Sequence, residues 1–216
     1  KELEKINLNN CINLKSNLIN IKNLKDKNIY IKKINNLLSK LKNKKELLAK
    51  VVVARIKKAT FTNKIPFLNI FNHLQTKNMN NMNFLFTIND DISMIGSSPE
   101  LVLSKTNTKI KSESIAGTNY QNNTSNFISN DKEIIEQKIV TEYINDFFNV
   151  NSTNIFFNDV PSIKKTSNIE HFCTSFSADQ NNNKNILELL HELHPTPAIA
   201  GYPKNKALKI INSFNE

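Results

Sequence analysis

Leu193-His194-Pro195-Thr196-Pro197-Ala198-Ile199-Ala200-Gly201-Tyr202-Pro203 is the stretch on which the reading turns. The chain has only three glycines and six prolines in 216 residues, and four rare residues of those kinds fall in these eleven positions. Where Gly is scarce, each one marks a backbone that needs positive φ or close approach. Pro195 ends an amphipathic run, so the spacing predicts a helix over 186–193. A second helix is predicted over 204–216, with Ala207, Ile210, Ile211 and Phe214 inward. His191 and His194 stand three apart, which is not H-E-x-x-H, and no third ligand is evident, so zinc is not expected.

Working outward, apolar and β-branched runs predict strands over 169–176 and 154–160. Residues 131–148 read as the clearest helix, with Asp131 as N-cap and Ile135, Ile139, Tyr143, Ile144, Phe147 and Phe148 as its apolar face. Short strands over 83–88, 92–95, 101–104 and 108–115 read as an antiparallel meander, with Asn89-Asp90-Asp91 as a hairpin turn. A buried strand is expected over 51–56, after a helix end at 45–49. Residues 1–45 are rich in Lys, Asn, Leu and Ile. Leu14, Leu18, Ile21 and Leu24 stand at helical spacing there, as do Ile34, Leu37, Leu38 and Leu41. Strands in blocks and helices in blocks give an α+β class.

The net charge is +10, yet of 29 Lys plus Arg only Arg55 is arginine, and Asn supplies 38 residues. Such an alphabet gives a solvated lysine surface rather than bidentate and stacking contacts to nucleic acid, so no nucleic-acid partner is expected. No apolar run reaches the roughly 18 residues of a membrane span, so no membrane partner is expected either. Two cysteines, Cys11 and Cys173, and no visible leader fit a reducing, cytoplasmic setting. The chain begins at Lys1 and stops at Glu216 inside a helical pattern, which reads as a fragment.

Five constellations could carry chemistry. Lys50 heads an apolar strand; desolvation there would suit a general base, though a strand-start lysine also snorkels to water. Glu100 closes Gly96-Ser97-Ser98-Pro99-Glu100, where a rigid, partly dry turn would suit a general acid, or leave an exposed glutamate. Ala116-Gly117-Thr118 can present N–H groups to an anion. Glu133 and Glu136 are i,i+3 carboxylates, fit for a hard cation or for a solvated helix face. The fifth is residues 191–198 (HELHPTPA), with His191 and His194.

Together and in this order, these motifs resemble the chorismate-utilising enzyme family. Lys50–Arg55 (KVVVAR) is similar to its K-V-V-L-A-R strand, 96–100 to its G-x-S-P-E turn, and 116–118 to its A-G-T loop. Residues 132–137 (KEIIEQ) resemble its K-D-x-x-E-H helix, with Glu133 in place of Asp and Gln137 in place of His. Residues 170–174 (EHFCT) resemble its Q-H-L-x-T strand, and 193–203 its L-H-P-T-P-A-V-x-G-x-P segment. LHPTPA and Lys50 are similar to the isochorismate synthase branch. The likeness covers 41–216 as a partial chorismate-binding catalytic domain; residues 1–40 match poorly.

The resemblance implies a fold of two packed, mostly antiparallel sheets with helices outside, incomplete at the C-terminus. It implies chorismate as substrate and Mg²⁺ as cofactor. Lys50 would deprotonate a water attacking C2, and Glu100 would protonate the departing C4 hydroxyl. Glu136 would bind the metal. Gly117, Thr118, His171, Thr174 and Ala198 would contact the substrate. The product would be isochorismate, for menaquinone, siderophore or salicylate synthesis. A salicylate synthase of the same family and a non-catalytic remnant are the alternatives. A further chain or segment would complete the C-terminal part, with its second metal-binding glutamate.

Overall fold

The computed structural model describes residues 18–23, 26–43, 45, 47–89, 91–120, 127–166 and 169–214. Its α+β class is the expected one, built on long antiparallel pairs. Strands β7 (Lys109–Tyr120) and β10 (Ile169–Gln180) form the central ladder, from Tyr120 opposite Ile169 to Lys109 opposite Asp179. β6 (Ser104–Thr106) extends it on the β7 side; β8 (Ser152–Phe157) and β9 (Ser162–Lys165) pair with β10. Along β7, Ile110, Ser112, Ser114 and Ala116 point one way and are buried, whereas Lys109, Lys111 and Glu113 alternate with them. That period of two gives the sheet a dry face.

Helix α3 (Asp131–Asn151) covers this face, with α4 (Ile186–Leu193) beside it. Val140, Ile144, Phe147 and Phe148 of α3 meet Ile110, Phe176 and Ala178 of the sheet and Leu189 and Leu193 of α4. A smaller cluster joins Leu37 of α1 (Lys27–Lys42), Leu48 and Phe214 of α5 (Lys204–Phe214). The lone arginine, Arg55, lies over the Tyr30 ring, 4.6 Å from its centroid. β2 (Lys50–Val51) pairs with β11 (Gly201–Tyr202). These elements belong to one compact unit, residues 23–56 and 100–216.

The other unit comprises residues 1–22 and 57–99. There β4 (Met82–Asn89) and β5 (Ile92–Ser98) form a hairpin against α2 (Phe67–Lys77), and β1 (Leu18–Asn23) pairs with β3 (Lys57–Phe61). Asn89 Oδ1 accepts from the N–H groups of Asp91 and Ile92, closing the expected turn.

Several expectations are corrected. The meander is two separate hairpins, β4–β5 and β6–β7, in different sheets. Leu101–Leu103 carry no ladder of their own; strand begins at Ser104. Two packed sheets were expected; the described residues hold one five-stranded sheet and three two-stranded ladders. The strand expected over 51–56 is Lys50–Val51 alone. Its partner is only two residues long, because Pro203 has no N–H and α5 starts at Lys204. Helix α1 ends at Lys42, not in 45–49, with Asn43 at its C-cap and Leu47 at φ 48°.

Leu18 and Ile21 lie in a strand, since β1 has a ladder partner in β3; Leu14, Leu24 and Cys11 lie outside the described residues, as do the last two residues of the helix expected over 204–216. The N-cap of α3 is Asn130, whose side chain accepts from Lys132 N–H, leaving Asp131 in the first turn, where a negative charge suits the helix dipole. Ile135 is exposed, and Glu133 and Gln137 take buried places instead. Polar partners on β7 make those burials tolerable.

Candidate active site

Lys50 sits on the short β2–β11 ladder, opposite Tyr202. The close approach there depends on Gly201 at φ 137°; a Cβ at that position would overlap the Lys50 carbonyl oxygen. Val52 N–H donates to Ala200 O at 2.8 Å and Ala49 N–H to Tyr202 O at 2.9 Å, so Lys50 is fixed from both sides. Its ammonium is buried and lies 2.9 Å from Glu136 Oε1. The contact is an ion pair whose angles fall outside hydrogen-bond geometry. Lys50, Val52, Lys132, Ile135, Glu136 and Ile139 line a pocket of about 550 Å³. Ile135 and Ile139, expected in the core, line this pocket.

From Glu136 a chain of contacts runs along the first turns of α3. Lys132 Nζ stands 3.6 Å from Glu136 Oε2 and 2.6 Å from Glu133 Oε1. Glu133 Oε2 accepts from Thr118 N–H at 2.8 Å. Burial raises the Glu133 pKa, but the Lys132 hydrogen bond, the Thr118 N–H and the Lys50 charge outweigh it and hold the carboxyl below its ordinary value. The hydrogen bond to Glu133 in turn raises Lys132. Gly117 has φ 70°, and a Cβ there would press on the Glu133 carbonyl at 2.9 Å and the Phe172 ring at 3.0 Å. Only glycine lets β7 pass this close to α3. His171 Nδ1 is 3.1 Å from Thr118 Oγ1 and 3.2 Å from Gly117 O.

Glu100 is half-buried. Burial, then the charge of Glu113, push its pKa up from 4.5 to about 7, against the lowering pull of Lys50, the Ile115 backbone hydrogen bond and Lys164. A carboxyl poised there can hand over a proton at neutral pH.

The structure thus links Lys50, Glu136, Glu133, Gly117, Thr118 and His171 by direct contacts, with Glu100 inside the field of Lys50. Two expected residues lie elsewhere. Thr174 faces α3, where its hydroxyl meets Gln137 Nε2 at 3.3 Å. Period-two alternation turns Cys173 to the opposite face, toward Glu113, Lys164 and Glu100, and burial first, then Glu113, raise its thiol. Ala198 packs against the core cluster, its N–H on Thr196 Oγ1. Glu113 and Lys164 were not singled out from the sequence. A charged residue in the alternating run 108–115 was a usable signal for Glu113. Lys164 lies on a strand with no clear pattern.

For a hard divalent cation, Glu136 has the right donor chemistry. Both its oxygens face ammonium groups, and among the described residues no three His, Cys, Asp or Glu side chains gather as a metal cluster. Glu136 therefore fits as one ligand of a partial set.

The family model for chorismate binding enzymes matches residues 1–216. The chain is 26% identical over 170 residues to isochorismate synthase EntC of Escherichia coli (strain K12), covering 75% of this chain and 44% of that protein. In structure it is similar to the putative 2,3-dihydroxybenzoate-specific isochorismate synthase DhbC from Bacillus anthracis, with TM-score 0.82, 24% identity, and 94% of this chain matched to 57% of that one. It is also similar to anthranilate synthase component I from Streptococcus pneumoniae TIGR4, with TM-score 0.77, 16% identity, and 91% of this chain matched to 44% of that one. The chain spans about half the length of these relatives. With the motifs from Lys50 to Pro203 gathered on the fold these structures share, the chain belongs to the chorismate-binding enzyme family.

Proposed function

We propose that this chain carries the acid–base centre of an isochorismate synthase, which converts chorismate to isochorismate. Lys50, once its ammonium has shed a proton to solvent, takes a proton as the free amine from the water that attacks C2 and returns to the ammonium form. Glu100 gives its proton to the C4 hydroxyl, which leaves as water while the ring double bonds shift. The proton count balances, so the reaction is an isomerisation. Glu133 and Lys132 hold the Gly117–Thr118 segment of β7, whose backbone and hydroxyl, with His171, orient the substrate. Glu136 would hold Mg²⁺ together with ligands from the part of the relatives beyond the matched region; when bound, the ion supplies positive charge for a substrate carboxylate. The relatives' names suggest menaquinone, siderophore or salicylate formation as the use of the product.

The observation that carries this reading is the placement of Lys50 Nζ, buried and 2.9 Å from Glu136 Oε1, with the half-buried Glu100 inside its field and raised by burial to about 7. The test is incubation with chorismate and Mg²⁺, with chromatographic identification of products and Lys50→Ala and Glu100→Gln as controls. The assay is run on the chain alone and with the relatives' C-terminal segment supplied. Isochorismate that disappears in both controls is expected. Salicylate with pyruvate would assign the lyase reaction instead, and no product under either condition would make the chain a non-catalytic remnant.

A further inference from the structure

Glu113 has no part in the constellations read from the sequence, yet it touches the chain beside Glu100 twice. Its backbone N–H donates to the Leu101 carbonyl at 2.9 Å, and its Oε2 accepts from Leu101 N–H at 3.3 Å. One residue of β7 therefore grips both polar groups of the residue that follows Glu100. The same Oε2 accepts from Lys164 Nζ of β9 at 2.7 Å. Both side chains of that pair are largely withdrawn from solvent, 28% and 22% exposed. An ion pair so placed is only lightly screened by salt.

The groups facing Glu100 come from four elements: Glu113 and the Ile115 backbone on β7, Lys164 on β9, Lys50 on β2, and the Cys173 thiol on β10. The Glu113 charge adds to burial in raising Glu100, as a like charge does, while Lys50 and Lys164 pull it down. Lys164 Nζ is directed at Glu113 Oε2, which fixes where that charge stands.

We infer that Glu113 is a positioning residue for Glu100: paired with Lys164, it pins the chain at Leu101 and presents a fixed negative charge to the Glu100 carboxyl. Glu113 does not touch the substrate in this arrangement; it acts through Glu100. The catalytic consequence rests on the reading of Glu100 as the proton donor, but the electrostatic one does not.

The test is a titration of Glu100 in the 216-residue chain carrying ¹³C-labelled glutamate, followed by NMR, with Glu100→Gln to assign the resonance. Glu113→Gln keeps an acceptor for Leu101 N–H and removes the charge. The Glu100 midpoint is expected to fall by about half to one pH unit in that variant. Lys164→Met removes a positive charge, and the midpoint is expected to rise. Opposite signs from two neighbouring substitutions are not what a merely structural role produces. If Glu113→Gln fails to fold, Lys164→Met reads the same field. An unmoved midpoint in the variant that folds overturns the inference. With isochorismate formed, the alkaline limb of the rate profile is expected to move down with the midpoint in Glu113→Gln. A moved midpoint with no isochorismate at any pH upholds the inference and overturns the functional reading instead.

Discussion

In β4 and β5 the side chains of Met82, Phe86, Ile88, Ile92 and Met94 are each more than half exposed, whereas in β7 and β10 Ile110, Phe176 and Ala178 are at most 2% exposed. Both pairs are antiparallel, and both alternate along the strand. What differs is cover. Helices α3 and α4 pack on one face of the β7–β10 ladder, while α2 meets the hairpin on the side away from these exposed side chains. Among the described residues, Asn72 alone is buried within 57–99, and the buried apolar side chains lie in 23–56 or 100–216. A pattern of two names the face that could be buried, and a second layer decides whether it is. The candidate site stands on the covered ladder and the β2–β11 pair, where backbone positions are fixed by a packed core.

The contrast is broken most directly by truncating one aromatic from each region. Phe148→Ala empties a fully buried position and is expected to cost about 3–5 kcal/mol, whereas Phe86→Ser is expected to stay within about 0.5 kcal/mol by denaturant unfolding. Equal losses would show that the hairpin face is covered in solution.

Next in size is the pH dependence that Glu100 contributes. Its folded pKa, about 7, lies above the ordinary 4.5, so the native state keeps a proton that the unfolded chain releases. This contribution is therefore present in full below about pH 4.5 and is lost as pH rises through 7, a loss of order 3 kcal/mol. Thermal melts of Glu100→Gln across that range should be flatter than those of the parent chain.

A smaller effect is expected from Glu136→Gln, which leaves the buried Lys50 ammonium without its partner. Because Glu136 is itself 30% exposed, the cost is put at about 1–3 kcal/mol, with part recovered in the Lys50→Met, Glu136→Gln double variant. A cycle in which the two losses simply add would remove the ion pair from the account.

The smallest sharpening compares two asparagines. Asn185 caps α4 through Leu187 and Glu188 N–H in a full capping box, and Asn185→Ala is expected to cost about 1 kcal/mol. Asn89→Ala at the hairpin turn should cost only a few tenths, measured the same way.

Much of the covered region was legible because its signals are local. Helix α4 runs from Ile186 to Leu193 as its spacing predicts, since the apolar period, the cap residue and Pro195 all act within a few residues. The rare glycines were also informative: Gly117 and Gly201 both have positive φ and sit where a Cβ would collide with neighbouring backbone. The buried face of α3 was not legible. Glu133 and Gln137 look like surface residues until Thr118 N–H and the Ser114 carbonyl arrive from β7 to satisfy them. Thr174 belonged to a recognisable motif, but which face of β10 it takes depends on the register with β7, which a one-residue shift would reverse.

The sequence by itself determined the α+β class, both ends of α4, the starts of α3 and α5 and the residues able to carry chemistry, because periodicity, helix-breaking prolines and rare glycines act over one or two turns of chain. Tertiary structure alone decided which charges meet. Lys50 and Glu136 are far apart in sequence, as are Glu113 and Lys164, and their interaction depends on distance and burial rather than on residue type. That is why Glu100 could be named from its motif, while the neighbour that tunes it became visible only when β7 and β9 were brought together.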